Sequence, residues 1–253
     1  MTSPALDVLL PAAGTALHPR ADEAELVALL DDAPAGRWVR ANMIATLDGA
    51  ATGPDHVTGS INGPADLRVF TALRALADVV LVGAGTVRQE RYRELDLPPA
   101  VAATRRAHGR DGAVELAVVT RAGDVPDALL DADRPPLVVT CGTCPRLGAL
   151  RERLGDRLVV AGASAVDPAA ALDALTERGL HAVLAEGGPH LLAELVTRGL
   201  VDELFLTWSP VLVGGPAPRV LDGAPWLDGP RAARLVHLLH ADGVLLGRWG
   251  LRP

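Results

Sequence analysis

Short, uninterrupted runs of branched aliphatic residues recur along the chain: DVVLVG (78–83), VELAVVT (114–120), PLVVT (136–140), RLVVAG (157–162) and HAVLAE (181–186). A strand with one wet face alternates apolar and polar residues; these runs do not, so both of their faces must be covered. Between them lie ADLRVFTALRALA (65–77), GTVRQERY (85–92), CPRLGALRERLG (144–155), PAAALDALTERG (168–179) and GPHLLAELVTRG (188–199), read as helices. Parallel strands need long crossovers, and crossover helices shield both sheet faces. The expectation is an α/β fold with a mainly parallel central sheet flanked by helices.

RWVRANMIAT (37–46) adds a strand, and Pro64, after a Gly-rich loop, sets the start of the next helix. The pattern changes near the end of the chain. DELFLTWSPVLV (202–213) reads as one long strand, and RLVHLLHADGVLLGRWG (234–250) as two strands about an Ala-Asp-Gly turn, a C-terminal antiparallel hairpin. Residues 1–253 are expected to form a single domain, with 1–36 a packed extension whose helix is capped by Asp22. The Arg- and Pro-rich stretch 88–112 reads as the one long irregular segment, a solvated excursion or a functional loop.

Composition excludes several function classes. The net charge is −7, without the basic surplus a dedicated nucleic-acid binder needs. All 24 basic residues are arginine, which removes lysine Schiff bases, P-loop lysines and lysine general bases. Cys141 and Cys144 cannot form a disulfide scaffold for so long a chain and lack the second pair a metal site needs, so they read as structural thiols. No run approaches the roughly 18 apolar residues of a membrane helix. The start of the chain carries no positive leader, and a cytoplasmic location is expected. Neither a zinc-deaminase signature nor a G-x-S-x-G elbow occurs. His181 and His237, set in apolar runs, read as satisfied core residues.

Three bends carry the remaining chemistry. In HAVLAEGGPHLLAEL, a buried strand enters Glu186-Gly187-Gly188-Pro189 and then a helix, presenting free N–H groups and a positive helix end to an anion such as phosphate. A tight turn with a surface glutamate is the alternative. DVVLVGAGTVRQE has Gly83 and Gly85 but Arg88 where the dinucleotide fingerprint places its third glycine, leaving a second backbone-lined turn with the Thr86 hydroxyl. Asp48, in the Asp-Gly turn after the strand 37–46, is either a proton donor or the turn's own acceptor.

Taken in order, MIATLDGAAT, LRALADVVLVGAGT, VLAEGGPHLL and LVDELFLTWSPVLVGG resemble the pyrimidine reductase family of riboflavin biosynthesis, the reductase domain with the dihydrofolate-reductase-like fold. The resemblance spans about Trp38 to Trp249. It implies an NADPH-dependent reduction of a ribosylaminopyrimidine phosphate from ribosyl to ribityl. It also implies cofactor contacts from Ala45, Gly83, Gly85, Thr86 and Glu90, from Gly187, Gly188, Pro189, His190, Leu191 and Leu192, and from Arg121 to a 2′-phosphate. Substrate contacts would come from Asn42, Thr58, Ser60, Arg74 and Glu186, with Glu186 holding the pyrimidine, Arg74 the phosphate, and Asp48 or a water delivering the proton. No metal is implied. The chain departs from the family at Asn42, where a lysine is common, and it has no deaminase ligands, so it resembles the reductase half alone. A pterin substrate and a catalytically silent NADPH-binding dimer are the alternatives. A homodimer is expected through the long strand near residue 208.

Overall fold

The computed structural model describes residues 3–252. In chain order the strands and helices are β1 (Leu6–Leu10), β2 (Thr15–Leu17), α1 (Ala24–Leu30), β3 (Trp38–Thr46), α2 (Pro64–Leu76), β4 (Val79–Gly83), α3 (Ala84–Gln89) and α4 (Pro99–Ala107). There follow β5 (Glu115–Val119), α5 (Asp127–Leu130), β6 (Leu137–Thr140), α6 (Leu147–Leu154), β7 (Leu158–Val160), α7 (Pro168–Thr176), β8 (Ala182–Ala185), α8 (Pro189–Thr197), β9 (Glu203–Ser209), β10 (Arg234–Ala241) and β11 (Val244–Gly250). All strands join one sheet in the order β2-β1-β10-β11-β9-β3-β8-β4-β5-β6-β7. From β9 to β7 the neighbours run parallel; β11, β10, β1 and β2 continue it antiparallel.

The uninterrupted aliphatic runs are buried on both faces, as their composition requires. In β4, Val80 and Val82 pack under α2 with Leu73 and Leu76, while Val79 and Leu81 face the opposite layer with Leu172, Leu175, Leu192 and Leu195 of α7 and α8. At about 25 cal/mol per Å² of apolar surface, these two layers are the main source of stability.

The structure corrects several expectations. Residues 6–17 are a β-hairpin whose first strand pairs with β10, which the helix-centred reading of the N-terminal segment missed. The segment is bolted down by the buried Arg68 of α2, which bonds Glu23 and donates to the carbonyls of Pro4, Leu17 and His18. The residue at the cap position of α1 is Glu23, in the left-handed region at φ 45° and without a side-chain capping bond; Asp22 accepts from the Ala24 N–H at 3.3 Å and from Arg20 Nε at 3.2 Å. The stretch 88–112 contains α4, whose Arg105 turns inward onto the carbonyls of Ala75, Ala77 and Gly112. β9 stops at Ser209, and 210–233 is irregular. His181 is exposed; His237 is buried, but its Nδ1 has no hydrogen-bond partner, and burial lowers its pKa. Cys141 and Cys144 are buried free thiols, with the Cys141 Sγ 3.6 Å from the Thr143 hydroxyl.

Candidate active site

The central strands β3, β8 and β4 lie side by side, so their carboxyl ends open together, the place where open parallel sheets bind ligands. The two glycine bends meet there. The Gly83 N–H donates to the Gly187 carbonyl at 2.9 Å, and the Glu186 N–H to the Leu81 carbonyl at 3.0 Å. The Gly187–Gly188 peptide is cis. Gly187 has φ +90°, and a Cβ on it would lie 3.2 Å from the Met43 sulfur; one on Gly188 would lie 2.6 Å from Thr86 Oγ1. Pro189 opens α8 at its first position, leaving first-turn N–H groups without intrahelical acceptors.

A cavity of about 430 Å³ lies against these bends, within the range of small-molecule sites. β3 contributes Asn42, Met43 and Ile44, and the following loop Thr58 and Asn62. α2 contributes Asp66, Phe70 and Arg74, one stripe at four-residue spacing. The opposite wall is Thr86, Glu90, Tyr92 and Arg93, and the end is formed by Glu186 to Pro189.

Arg74 and Glu186 form a bidentate pair, with Nε to Oε1 and Nη2 to Oε2 both at 2.7 Å. The Tyr92 hydroxyl also donates to Oε2, at 2.7 Å. The Glu186 side chain is only 2% exposed, and this buried charge is viable because three donors satisfy it. The guanidinium stacks 4.1 Å from the Phe70 ring centroid. Burial opposes the charge on Arg74, but Glu186 and Tyr92 outweigh it and raise its pKa; burial, then the Glu186 charge, pushes the Tyr92 phenol well above its ordinary value. Across the cavity, Glu90 accepts from the Thr58 N–H at 2.8 Å. Asp66 accepts from Thr207 Oγ1 of β9 at 2.5 Å, and burial drives its carboxyl up to about 6.

Of the residues singled out from sequence, Asn42, Thr58, Arg74, Thr86, Glu90, Glu186, Gly187, Gly188 and Pro189 line the cavity. Gly83 and Gly85 belong to the bend beside it. Asp48 is corrected: it lies outside the cavity, exposed, and accepts from the Thr46 hydroxyl and from the Val213 and Gly214 N–H groups. These bonds hold its carboxyl below the usual range, so it carries no proton to give near neutral pH. It is the turn's acceptor.

Ser60 also lies outside; its exposed hydroxyl bonds Asp55. Ala45 is buried in β3 away from the cavity. Leu192 is a core residue at 1% exposure, Leu191 packs on the same layer, and His190 is exposed with its ring against the Asp222 carbonyl. Arg121 is exposed, two residues past the end of β5.

The sequence reading missed Asp66, Phe70 and Tyr92. Stepping back from Arg74 by four and eight residues reaches Phe70 and Asp66, so the helical period held that signal. Tyr92 follows α3 in an irregular stretch and had none. Among the described residues, no group of three or more His, Cys, Asp or Glu is placed to hold a metal ion. No helix there is long and apolar enough to cross a membrane.

The chain matches the RibD C-terminal domain family over residues 37–246. It is 27% identical over 201 residues to a protein of Archaeoglobus fulgidus named 2,5-diamino-6-ribosylamino-4(3H)-pyrimidinone 5′-phosphate reductase, covering 78% of this chain and 92% of that one. It is 32% identical over 201 residues to a protein of the same name from Methanothermobacter thermautotrophicus, covering 76% and 86%. Among solved structures, a pyrimidine reductase-like protein from Corynebacterium diphtheriae superposes with TM-score 0.74 at 26% identity, over 86% of this chain and 92% of that one. The family match spans well over half of the chain, and the chain belongs to the RibD C-terminal domain family.

Proposed function

We propose that this chain is an NADPH-dependent reductase of a ribosylaminopyrimidine 5′-phosphate, converting the ribosyl group to a ribityl chain in riboflavin biosynthesis. The observation that carries the reading is the pair of glycine bends joined through Gly83 and Gly187 at adjacent strand ends, beside a cavity closed by Arg74 and Glu186. The names of the archaeal relatives support the substrate class.

The bends fit a dinucleotide. Side chains on Gly187 and Gly188 would fill the space against Met43 and Thr86, and the start of α8 is a site for a diphosphate. Thr86, Gly187, Gly188 and the backbone of His190 and Leu191 would hold it. When bound, the reduced nicotinamide supplies the hydride. Arg121 is assigned to the 2′-phosphate, because it is exposed at the end of β5, the strand beside β4.

Glu186 is held in one rotamer by three donors, so its remaining lone pair can orient ring N–H groups without reorganising. With Arg74 committed to Glu186, the substrate phosphate falls to Arg93 and His56, which also line the cavity. The half-buried residues Leu204, Leu206 and Trp208 of β9 and Trp249 of β11 support a homodimer across this end of the sheet.

Calorimetry with NADPH and steady-state assays on the ribosylaminopyrimidine phosphate and on dihydrofolate test the reading. Glu186→Gln is expected to lower kcat/KM at least tenfold with the NADPH Kd unchanged, and Arg121→Ala to weaken NADPH about tenfold but not NADH, the scale of one charge-assisted contact. Absence of heat with NADPH, or turnover of the pterin alone, defeats the reading.

A further inference from the structure

The floor of the cavity holds an ionisable group that the reading above leaves without a task. Asp66 is 5% exposed and lines the cavity from the first turn of α2. Its only partners are neutral, the Thr207 hydroxyl and the Asn62 side chain, and no cation lies within ion-pair distance among the described residues. A carboxyl buried without a cation keeps its proton into the neutral range, and burial outweighs the two hydrogen bonds to place Asp66 at about 6. The other carboxyl groups lining the cavity are already committed: Glu186 to Arg74 and Tyr92, Glu90 to the Thr58 N–H, and Glu94 to Arg134.

We infer that Asp66 is the catalytic acid of this site, delivering the proton that accompanies hydride transfer to the substrate, and that Thr207 and Asn62 are its positioning residues. The inference rests on the reductase reading. The open-chain substrate carries a C=N bond at the sugar carbon C1′. The carbon gains hydride from a reduced nicotinamide nucleotide, which is oxidised by two electrons. The C=N π electrons move to nitrogen, and the Asp66 O–H bond breaks as its proton follows them. The products are the ribityl amine, the oxidised nucleotide and an Asp66 carboxylate, which recovers a proton from water.

The charges surrounding the cavity are Arg74 on α2, His56 on the loop after β3, Glu90, Arg93 and Glu94 around the titratable Tyr92, and Glu186 after β8. None of them is a cause of the raised Asp66 value, which comes from burial set against two hydrogen bonds.

The test combines direct titration with kinetics. Carbon-13 NMR of the unliganded protein, labelled at aspartate, should show Asp66 titrating near 6. In Thr207→Val it should titrate higher, because the bond stabilising the carboxylate is gone, and the alkaline limb of the kcat profile should move with it. Asp66→Asn should lower kcat at least about a hundredfold, the low end of general-acid contributions, with the NADPH Kd unchanged by fluorescence. An Asp66 titration in the ordinary carboxylate range, an Asp66→Asn kcat within threefold of wild type, or an alkaline limb indifferent to Thr207→Val overturns the inference. A wild-type protein that reduces no ribosylaminopyrimidine brings down the reductase reading and the acid with it. An active wild type with an equally active Asp66→Asn removes the acid alone.

Discussion

A carboxyl buried without a cation weakens the fold that carries it. Asp66 has a folded pKa raised above its unfolded value, so the folded state binds its proton more tightly. The favourable contribution is complete below about 3.8 and is lost as the pH rises through about 6. Asp66→Asn should therefore melt higher than wild type at pH 8, by roughly 3 kcal/mol as an upper bound, with the gain vanishing by pH 4, which calorimetric melts at the two pH values measure. Gly187 makes the opposite demand. At φ +90°, with Met43 close, Gly187→Ala should cost about 1–3 kcal/mol in chemical denaturation and weaken NADPH in calorimetry. Residues of this kind were unevenly legible. Arg74 and Glu186 stood out in their motifs, and Asp66 was recoverable through helical period. Tyr92 reaches Glu186 only because the chain after α3 turns back over the cavity.

At the scale of elements, α2 does two jobs on two faces. Asp66, Phe70 and Arg74 line the cavity, while Arg68 holds the N-terminal hairpin through Glu23 and three carbonyls. Arg68→Ala would leave Glu23 and those carbonyls without their donor. It should cost about 3–5 kcal/mol and accelerate amide exchange across residues 4–18 while the β3–β8–β4 centre stays protected, which hydrogen-exchange mass spectrometry resolves. The elements covered on both faces were readable from their aliphatic runs. The hairpin of residues 6–17 and α4 were not: the first is short and half exposed, and the second sets its one structural arginine, Arg105, beside the exposed Arg106. β9 was read as a strand despite its polar residues, only too long by the segment after Ser209. Its inner face carries Glu203 and Thr207, which are tolerated because Arg40, Arg248 and Asp66 are waiting for them across the sheet.

For the whole molecule, the antiparallel end of the sheet leaves Trp208 and Trp249 edge to face, 6.1 Å apart and half buried, beside Leu245 at 37% exposure. The proposed homodimer predicts a light-scattering mass near twice 26.2 kDa that drops to the single value in Trp208→Glu, with the NADPH Kd unchanged; a monomeric wild type removes the dimer. The local sequence determined the class of fold, because buried strands and their crossover helices announce themselves through apolar period, and it located the glycine bends, because close backbone approach excludes side chains. Only the tertiary structure decided which carboxyl groups are buried and what they face. It took Asp48 out to the surface and bonded it, drew Asp66 under β9, and closed Tyr92 and Arg74 on Glu186. Proton affinity depends on desolvation and on partners far away in sequence, and those exist only once the chain has packed.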